Sequence, residues 1–126
     1  MGVIINTKPQ SNKHVLLASV AGNGVKTYKQ VLNEIAGQIT IGDLTQDSFI
    51  VLENTNYNRI DSFEISDRSA SKSEFTFVNV AQSGFECITL VLHATDSHRY
   101  LLSGTTVTDQ TNVAVTAGIT IYLYAC

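Results

Sequence analysis

Short runs of alternating apolar residues recur along this 126-residue chain, and turn-forming residues separate them. Their regular, close spacing is typical of an antiparallel β-sandwich or barrel. We expect a mainly β, single-domain antiparallel sandwich with a jelly-roll-like order. The predicted strands are residues 14–21, 48–53, 60–66, 74–80, 86–93, 99–103, 113–116 and 118–125.

The clearest of these strands is the run at residues 85–93. Ile88, Leu90 and Leu92 fall at every second position, which is the period of a pleated strand. The alternate positions are only partly polar, as expected of a strand covered on both faces. The pattern therefore predicts an interior strand around which the rest of the sheet is arranged.

A single amphipathic helix is predicted over residues 27–39. Thr27 and Gln30 have the spacing of a capping box, in which each side chain accepts a hydrogen bond from the other residue's backbone. Apolar residues at spacings of three and four form one stripe, and Gly37 is the expected end of the helix. We expect the stripe to cover part of the sheet.

Composition and length favour one compact domain, at residues 14–126, preceded by an extended arm at residues 1–13. Only 15% of the residues are charged and the net charge is −3, so the chain lacks the basic surface of nucleic-acid-binding proteins. Two cysteines do not form a disulfide framework. The sequence shows neither a signal peptide nor a run long enough to span a membrane.

Several residue groups are of types that occur in catalytic or ligand-binding sites. His93, Asp96 and His98 are metal-ligand types within six residues, but a polar turn explains them more simply. The pair Gly22 and Gly24 lacks the further residues of a phosphate-binding loop. No nucleophile lies in a recognisable catalytic motif. We therefore predict no catalytic residue, no metal site and no cofactor.

Charge is distributed unevenly along the chain. Residues 100–126 carry one charged side chain, Asp109, and their polar positions are mostly Thr and Tyr. Interface centres are poor in charge and rich in Tyr, so we predict a homo-oligomer. The predicted contact residues are Tyr100, Thr120, Tyr122 and Tyr124; the alternative is a monomer in which the last strands simply form the core.

The arm contains Lys8, Pro9 and Lys13 and no acidic residue. We expect these three residues to dock on an acidic partner surface. A second function remains open, because tyrosines on strands can also stack on sugar rings. In that case Tyr57, Tyr100, Tyr122 or Tyr124 would form a carbohydrate- or receptor-binding surface.

In its charge-poor, Thr-, Ser- and Asn-rich composition and its short arm, the chain resembles the small structural proteins of tailed bacteriophages. These include capsid decoration proteins, head-fibre modules and tail-associated proteins, which are often trimeric β-sandwiches. The resemblance implies a non-enzymatic virion protein, made in the host cytoplasm, that forms a trimer and docks to the capsid or tail through its arm. It transfers no site residue to this chain.

Overall fold

The computed structural model describes residues 14–69, 74–79, 86–92, 98–103 and 106–125, with the backbone alone at 41, 66–69, 86, 98–103 and 106–109. These ranges are mainly β, with one α-helix. The elements are β1 (Val15–Ala21), α1 (Tyr28–Ala36), a 3-10 turn (Ile41–Asp43), β2 (Phe49–Asn54), β3 (Arg59–Ser69), β4 (Glu74–Asn79), β5 (Glu86–Val91), β6 (His98–Ser103), β7 (Thr106–Asp109) and β8 (Ile119–Ala125).

All eight described strands belong to one antiparallel sheet with the order β1-β8-β2-β3-β4-β5-β6-β7. Strands β2 to β7 follow one another as a meander, and the last strand returns to lie between the first two. A sandwich needs a second sheet packed on the first. The predicted sandwich or jelly roll is therefore not confirmed in the described part of the chain.

The sheet curls around α1. The helix contacts β1, at one end of the strand order, and also β5 and β6, near the other end. Alternation along each strand points one set of side chains toward the helix, on what we call the inner face. Each fully buried aliphatic or aromatic side chain contributes roughly 1.5–3 kcal/mol of burial free energy. The largest fully buried side chains are Val31, Leu32, Ile35, Ile50, Phe63, Phe75, Phe77, Ile88, Leu90, Val115, Ile121 and Leu123.

The helix begins as the sequence predicts. The Thr27 hydroxyl accepts a hydrogen bond from the Gln30 backbone N–H at 3.2 Å, and Gln30 Oε1 accepts one from the Thr27 N–H at 2.8 Å. It ends at Ala36, because Gly37 caps it through hydrogen bonds to the carbonyls of the last turn. The helix is thus shorter than the predicted residues 27–39, although Ile39 is still buried in the core.

The prediction of a strand at residues 113–116 is wrong. Ala114 of this segment forms one isolated bridge with Thr27. Backbone carbonyls next to Ala114 and just before the segment accept hydrogen bonds from the first turn of α1. The Tyr28 N–H donates to the Val113 carbonyl and the Lys29 N–H to the Thr111 carbonyl. These carbonyls satisfy N–H groups that a helix N-terminus cannot pair internally. The segment is therefore a cap for the helix.

The strand predicted at residues 85–93 is present as β5, which lies between β4 and β6, but it is the third strand from one end of the sheet and not its centre. Ile88 and Leu90 are fully buried, whereas Cys87, Thr89 and Val91 on the other face are only half-buried. Strand β7 was not predicted. None of the helices in the described ranges is long and apolar enough to cross a membrane.

Candidate functional site

The face of the sheet that points away from α1, the outer face, carries the candidate site. Ile121 and Leu123 of β8 point into the core, so Thr120, Tyr122 and Tyr124 point outward and are half-buried. The strand register places Tyr124 between Leu16 of β1 and Phe49 of β2. The three strands therefore present one continuous outer surface.

Four rings on this surface touch in sequence, and we call them the aromatic row. The His14 ring meets the Phe49 ring edge-on, with centroids 4.9 Å apart, and Phe49 stacks on Tyr124 at 5.1 Å and 15°. Tyr122 continues the row, at 6.3 Å from Tyr124. Such aromatic pairs contribute about 0.5–1.5 kcal/mol each beyond the area that they bury. The contacts fix the orientation of the exposed ring edges.

One carboxylate lies beside the aromatic row. The Tyr122 hydroxyl donates a hydrogen bond to Glu53 Oε1 at 3.1 Å, from β8 to β2. This hydrogen bond, followed by burial of the ring, raises the pKa of Tyr122 above its ordinary value of 10.0. The phenol is therefore neutral at physiological pH and gives the Glu53 carboxylate a donor on the face of the sheet.

A cleft of about 410 Å³ opens at one end of the aromatic row. His14 and Phe49 belong to the aromatic row and also line the cleft. The cleft combines two carboxylates, two hydroxyls and two apolar side chains, and the buried Ser48 is held in it by a hydrogen bond from the Thr45 N–H to Ser48 Oγ at 2.9 Å. Its lining residues are His14, Gln46, Asp47, Ser48, Phe49, Ser62, Glu64 and Ile65.

The structure brings together three of the four predicted contact residues. Thr120, Tyr122 and Tyr124 share the outer face of β8. Tyr100 lies in β6, where its backbone pairs with Cys87 and Asp109, and four strands separate β6 from β8. Tyr100 is therefore not part of the aromatic row. The predicted docking residues Lys8, Pro9 and Lys13 lie outside the described residues.

Tyr57, which the alternative prediction includes in a sugar-binding surface, lies away from the aromatic row. Tyr57 is 80% exposed in the turn between β2 and β3. Asn54, at the start of that turn, pairs with Ile119 at the opposite end of β8 from Tyr124. Tyr57 and the aromatic row are thus separate features and do not form one binding surface.

Sequence reasoning missed His14, Phe49 and Glu53 as members of the site. The reason is the strand order, because β2 and β8 are neighbours in the sheet but distant in the chain. A signal was present in the strand patterns, since Phe49 and Val51 alternate with the buried Ile50 and Leu52 as apolar residues on the outward side.

No group of three metal-ligating side chains that could hold an ion is found in the ranges that the structure describes. His93 and Asp96 lie outside those ranges, and His98 is described by its backbone alone, paired with Thr89. Comparison with protein-family models, with curated proteins and with solved structures finds no match.

Proposed function

We propose that this chain is a non-enzymatic structural subunit that forms a homo-oligomer through the outer face of β1, β8 and β2. The observation that carries the proposal is the aromatic row, in which three half-buried rings and the exposed His14 ring contact one another on a face with very little charge. Tyr and other aromatic residues are enriched at the centres of protein interfaces, and charged residues are depleted there.

The charge of this face can be followed strand by strand. The register aligns three outward positions on each of the three strands, and Glu53 is the one charged residue among these nine. Its carboxylate already accepts the Tyr122 hydrogen bond. A second copy that covers this face would therefore bury few charges, and burial of unpaired charge is the main cost of such contacts. The nine positions are Leu16, Ser19, Ala21, Thr120, Tyr122, Tyr124, Phe49, Val51 and Glu53.

Part of the charge-poor sequence has a simpler origin. Ile119, Ile121, Leu123 and Ala125 lie in the core of a single subunit, which accounts for the absence of charge at four of the seven β8 positions. The proposal therefore depends on Thr120, Tyr122 and Tyr124 and on the neighbours that the register gives them.

Light scattering after size-exclusion chromatography tests the proposal. We expect the wild-type chain to have a mass that is a multiple of the 13.7 kDa of one copy. The Tyr124→Glu variant, which places a charge in the aromatic row, should shift toward the monomer mass. Tyr57→Glu is the matched control, because Tyr57 is exposed in a turn away from that row, and it should leave the mass unchanged. A monomeric wild-type chain, or equal effects of both variants, would contradict the proposal.

We further propose that the assembly is the virion of a tailed bacteriophage, with a trimer of this chain docked to the capsid or tail through residues 1–13. The support is the resemblance in composition and in the lysine-containing arm. A jelly-roll sandwich stays a prediction. Mass spectrometry of purified phage particles tests this placement. The chain should be present at a fixed stoichiometry, and its absence from particles whose genome encodes it would exclude a virion role.

Glycan binding is the second candidate, and the cleft beside the aromatic row favours it. Ser62, Asp47 and Glu64 supply the hydroxyl and carboxylate groups that bind sugar hydroxyls. Against it, Phe49 and Tyr124 stack on each other, which occupies the ring faces that a sugar would need. Screening on a glycan array tests this candidate. A hit that Tyr124→Ala abolishes would support it, and an array without hits would exclude it.

A further inference from the structure

The described chain begins at the wall of the cleft. His14 is its first described residue and also lines the cleft, so residue 13 of the arm is covalently bonded to a residue of the cleft wall. Asp47 and Glu64 give the cleft two carboxylates, and both residues are exposed. The lysine-containing arm is therefore joined in sequence to a residue of this acidic cleft.

The arm has the composition that the cleft would bind. Lys8 and Lys13 are its only charged side chains, and Val3, Ile4 and Ile5 form an apolar run near its start. The cleft offers apolar contact at Phe49 and Ile65 beside its carboxylates. Opposite charges at the two partners favour docking, and a mixed apolar and charged lining matches a peptide better than a metal ion.

The reach of the arm favours a neighbouring copy over its own cleft. Thirteen extended residues span roughly 43 Å, whereas a domain of this size has a radius of gyration of about 14 Å. Because the residue before a proline disfavours helical backbone angles, the sequence predicts an extended arm at Lys8 and Pro9. For Lys8 to return to the cleft beside His14, the chain would have to reverse within the few residues between them.

We propose that the arm of one copy lies in the cleft of a neighbouring copy, with the Lys8 ammonium between the carboxylates of Asp47 and Glu64. The inference rests on the proposed homo-oligomer, and it gives Lys8 of the arm a second copy of this chain as its partner in place of the capsid or tail. The contact is head-to-tail, and head-to-tail contacts close into rings such as trimers when the rotation permits. The arm would thus add a second contact to the one made by the aromatic row.

Cross-linking with a water-soluble carbodiimide tests the proposal on the full chain. The reagent converts a carboxyl group into an O-acylisourea. A lysine amine within contact distance attacks the carbonyl carbon of that group, which forms an amide bond and releases the urea. Equal amounts of isotope-labelled and unlabelled chain are mixed, dissociated, reassembled and cross-linked. We expect peptides that join Lys8 of one isotope to Asp47 or Glu64 of the other.

The ion pair of Lys26 and Glu34 provides the internal control. Their charged atoms are 3.1 Å apart within one chain, so they should cross-link without mixing of isotopes. Lys8 cross-links that also never mix would show that the arm binds its own cleft, which would overturn the proposal. Absence of Lys8 cross-links while Lys26 reacts would overturn it as well.

Charge-reversal variants at Lys8 and Glu64 test the arm proposal independently of the proposed function. Lys8→Glu and Glu64→Lys should each weaken self-association roughly fivefold, as expected for loss of an exposed ion pair, and the double variant should restore it. Glu74→Lys is the matched control, at an exposed position on β4. If the wild-type chain is oligomeric but no mixed cross-link forms, the arm proposal fails alone. If the wild-type chain is monomeric, both proposals fail.

Discussion

Tyr122 donates a hydrogen bond to Glu53 at 3.1 Å, and the two residues are 69 positions apart in the chain. Tyr122 lies on β8 and Glu53 on β2, where they are diagonal neighbours on the outer face. The contact exists only because the last strand inserts between the first two. The hydrogen bond therefore depends on the strand order. Since Tyr122 belongs to the aromatic row, it is also part of the candidate interface.

The raised pKa of Tyr122 predicts a loss of stability at alkaline pH. Its folded pKa lies above 10.0, so the stabilisation is complete below pH 10.0 and is lost as the pH rises through the folded value. In urea unfolding, Tyr122→Phe should cost about 1 kcal/mol at neutral pH and should reduce the alkaline loss. In Glu53→Gln, ultraviolet titration should show the Tyr122 pKa moving back toward its ordinary value. Unchanged alkaline loss in Tyr122→Phe would contradict this assignment.

Gly118 is predicted to tolerate no side chain. Its φ is +99°, and a Cβ atom would lie 2.7 Å from the Asn56 side-chain nitrogen. Asn56 is itself held there, because its Nδ2 donates to the Ala117 carbonyl at 2.8 Å. We expect Gly118→Ala to lower the free energy of unfolding by about 1–3 kcal/mol. Gly42→Ala is the control, since a Cβ there meets nothing within 4 Å. Equal effects of the two substitutions in thermal unfolding would refute the prediction.

The capping box of α1 is predicted to act as a coupled pair. Thr27→Ala should destabilise the protein by about 1 kcal/mol, because the Gln30 N–H loses its acceptor. Gln30→Ala removes the reciprocal acceptor. A double-mutant cycle measured by chemical denaturation should therefore show that the two losses are not additive. Strict additivity would mean that the two hydrogen bonds act independently.

Because two isoleucines of the sheet differ in burial, their replacement by alanine is predicted to change the free energy of unfolding by different amounts. Ile88 is fully buried on β5, whereas Ile60 on β3 is 66% exposed. Ile88→Ala should cost about 2–5 kcal/mol through lost burial and the cavity that remains. Ile60→Ala should change the free energy of unfolding by less than about 0.5 kcal/mol in the monomer. A large effect at Ile60 in a monomeric sample would show that the sheet faces are assigned incorrectly.

Local features of this fold could be predicted from the sequence, and long-range ones could not. The start of α1 and the burial of Ile88 and Leu90 follow from capping and two-residue periodicity, which are properties of neighbouring residues. The position of β8 between β1 and β2 depends on pairing between segments that lie far apart in the chain, which no local pattern encodes. Alternating apolar patterns also occur in single curled sheets, so the pattern predicts strands but does not distinguish a sandwich from a single sheet.

The candidate site was predicted in the same partial way. Tyr122 and Tyr124 were predicted from the low charge of the last strand, and both lie on the outer face. Their partners Phe49 and Glu53 could be found only once the strand order was known. Tyr100 was included because it lies in the same charge-poor segment of the sequence. It belongs to β6, however, and four strands separate β6 from β8 in the sheet.

Sedimentation equilibrium of the wild-type chain over a range of concentrations tests most directly whether the outer face joins copies of this protein. We expect a mass that rises with concentration to a defined multiple of the 13.7 kDa of one copy, and a Tyr124→Glu variant whose mass stays near that of one copy. A wild-type mass that equals that of a single copy at every concentration would contradict this expectation.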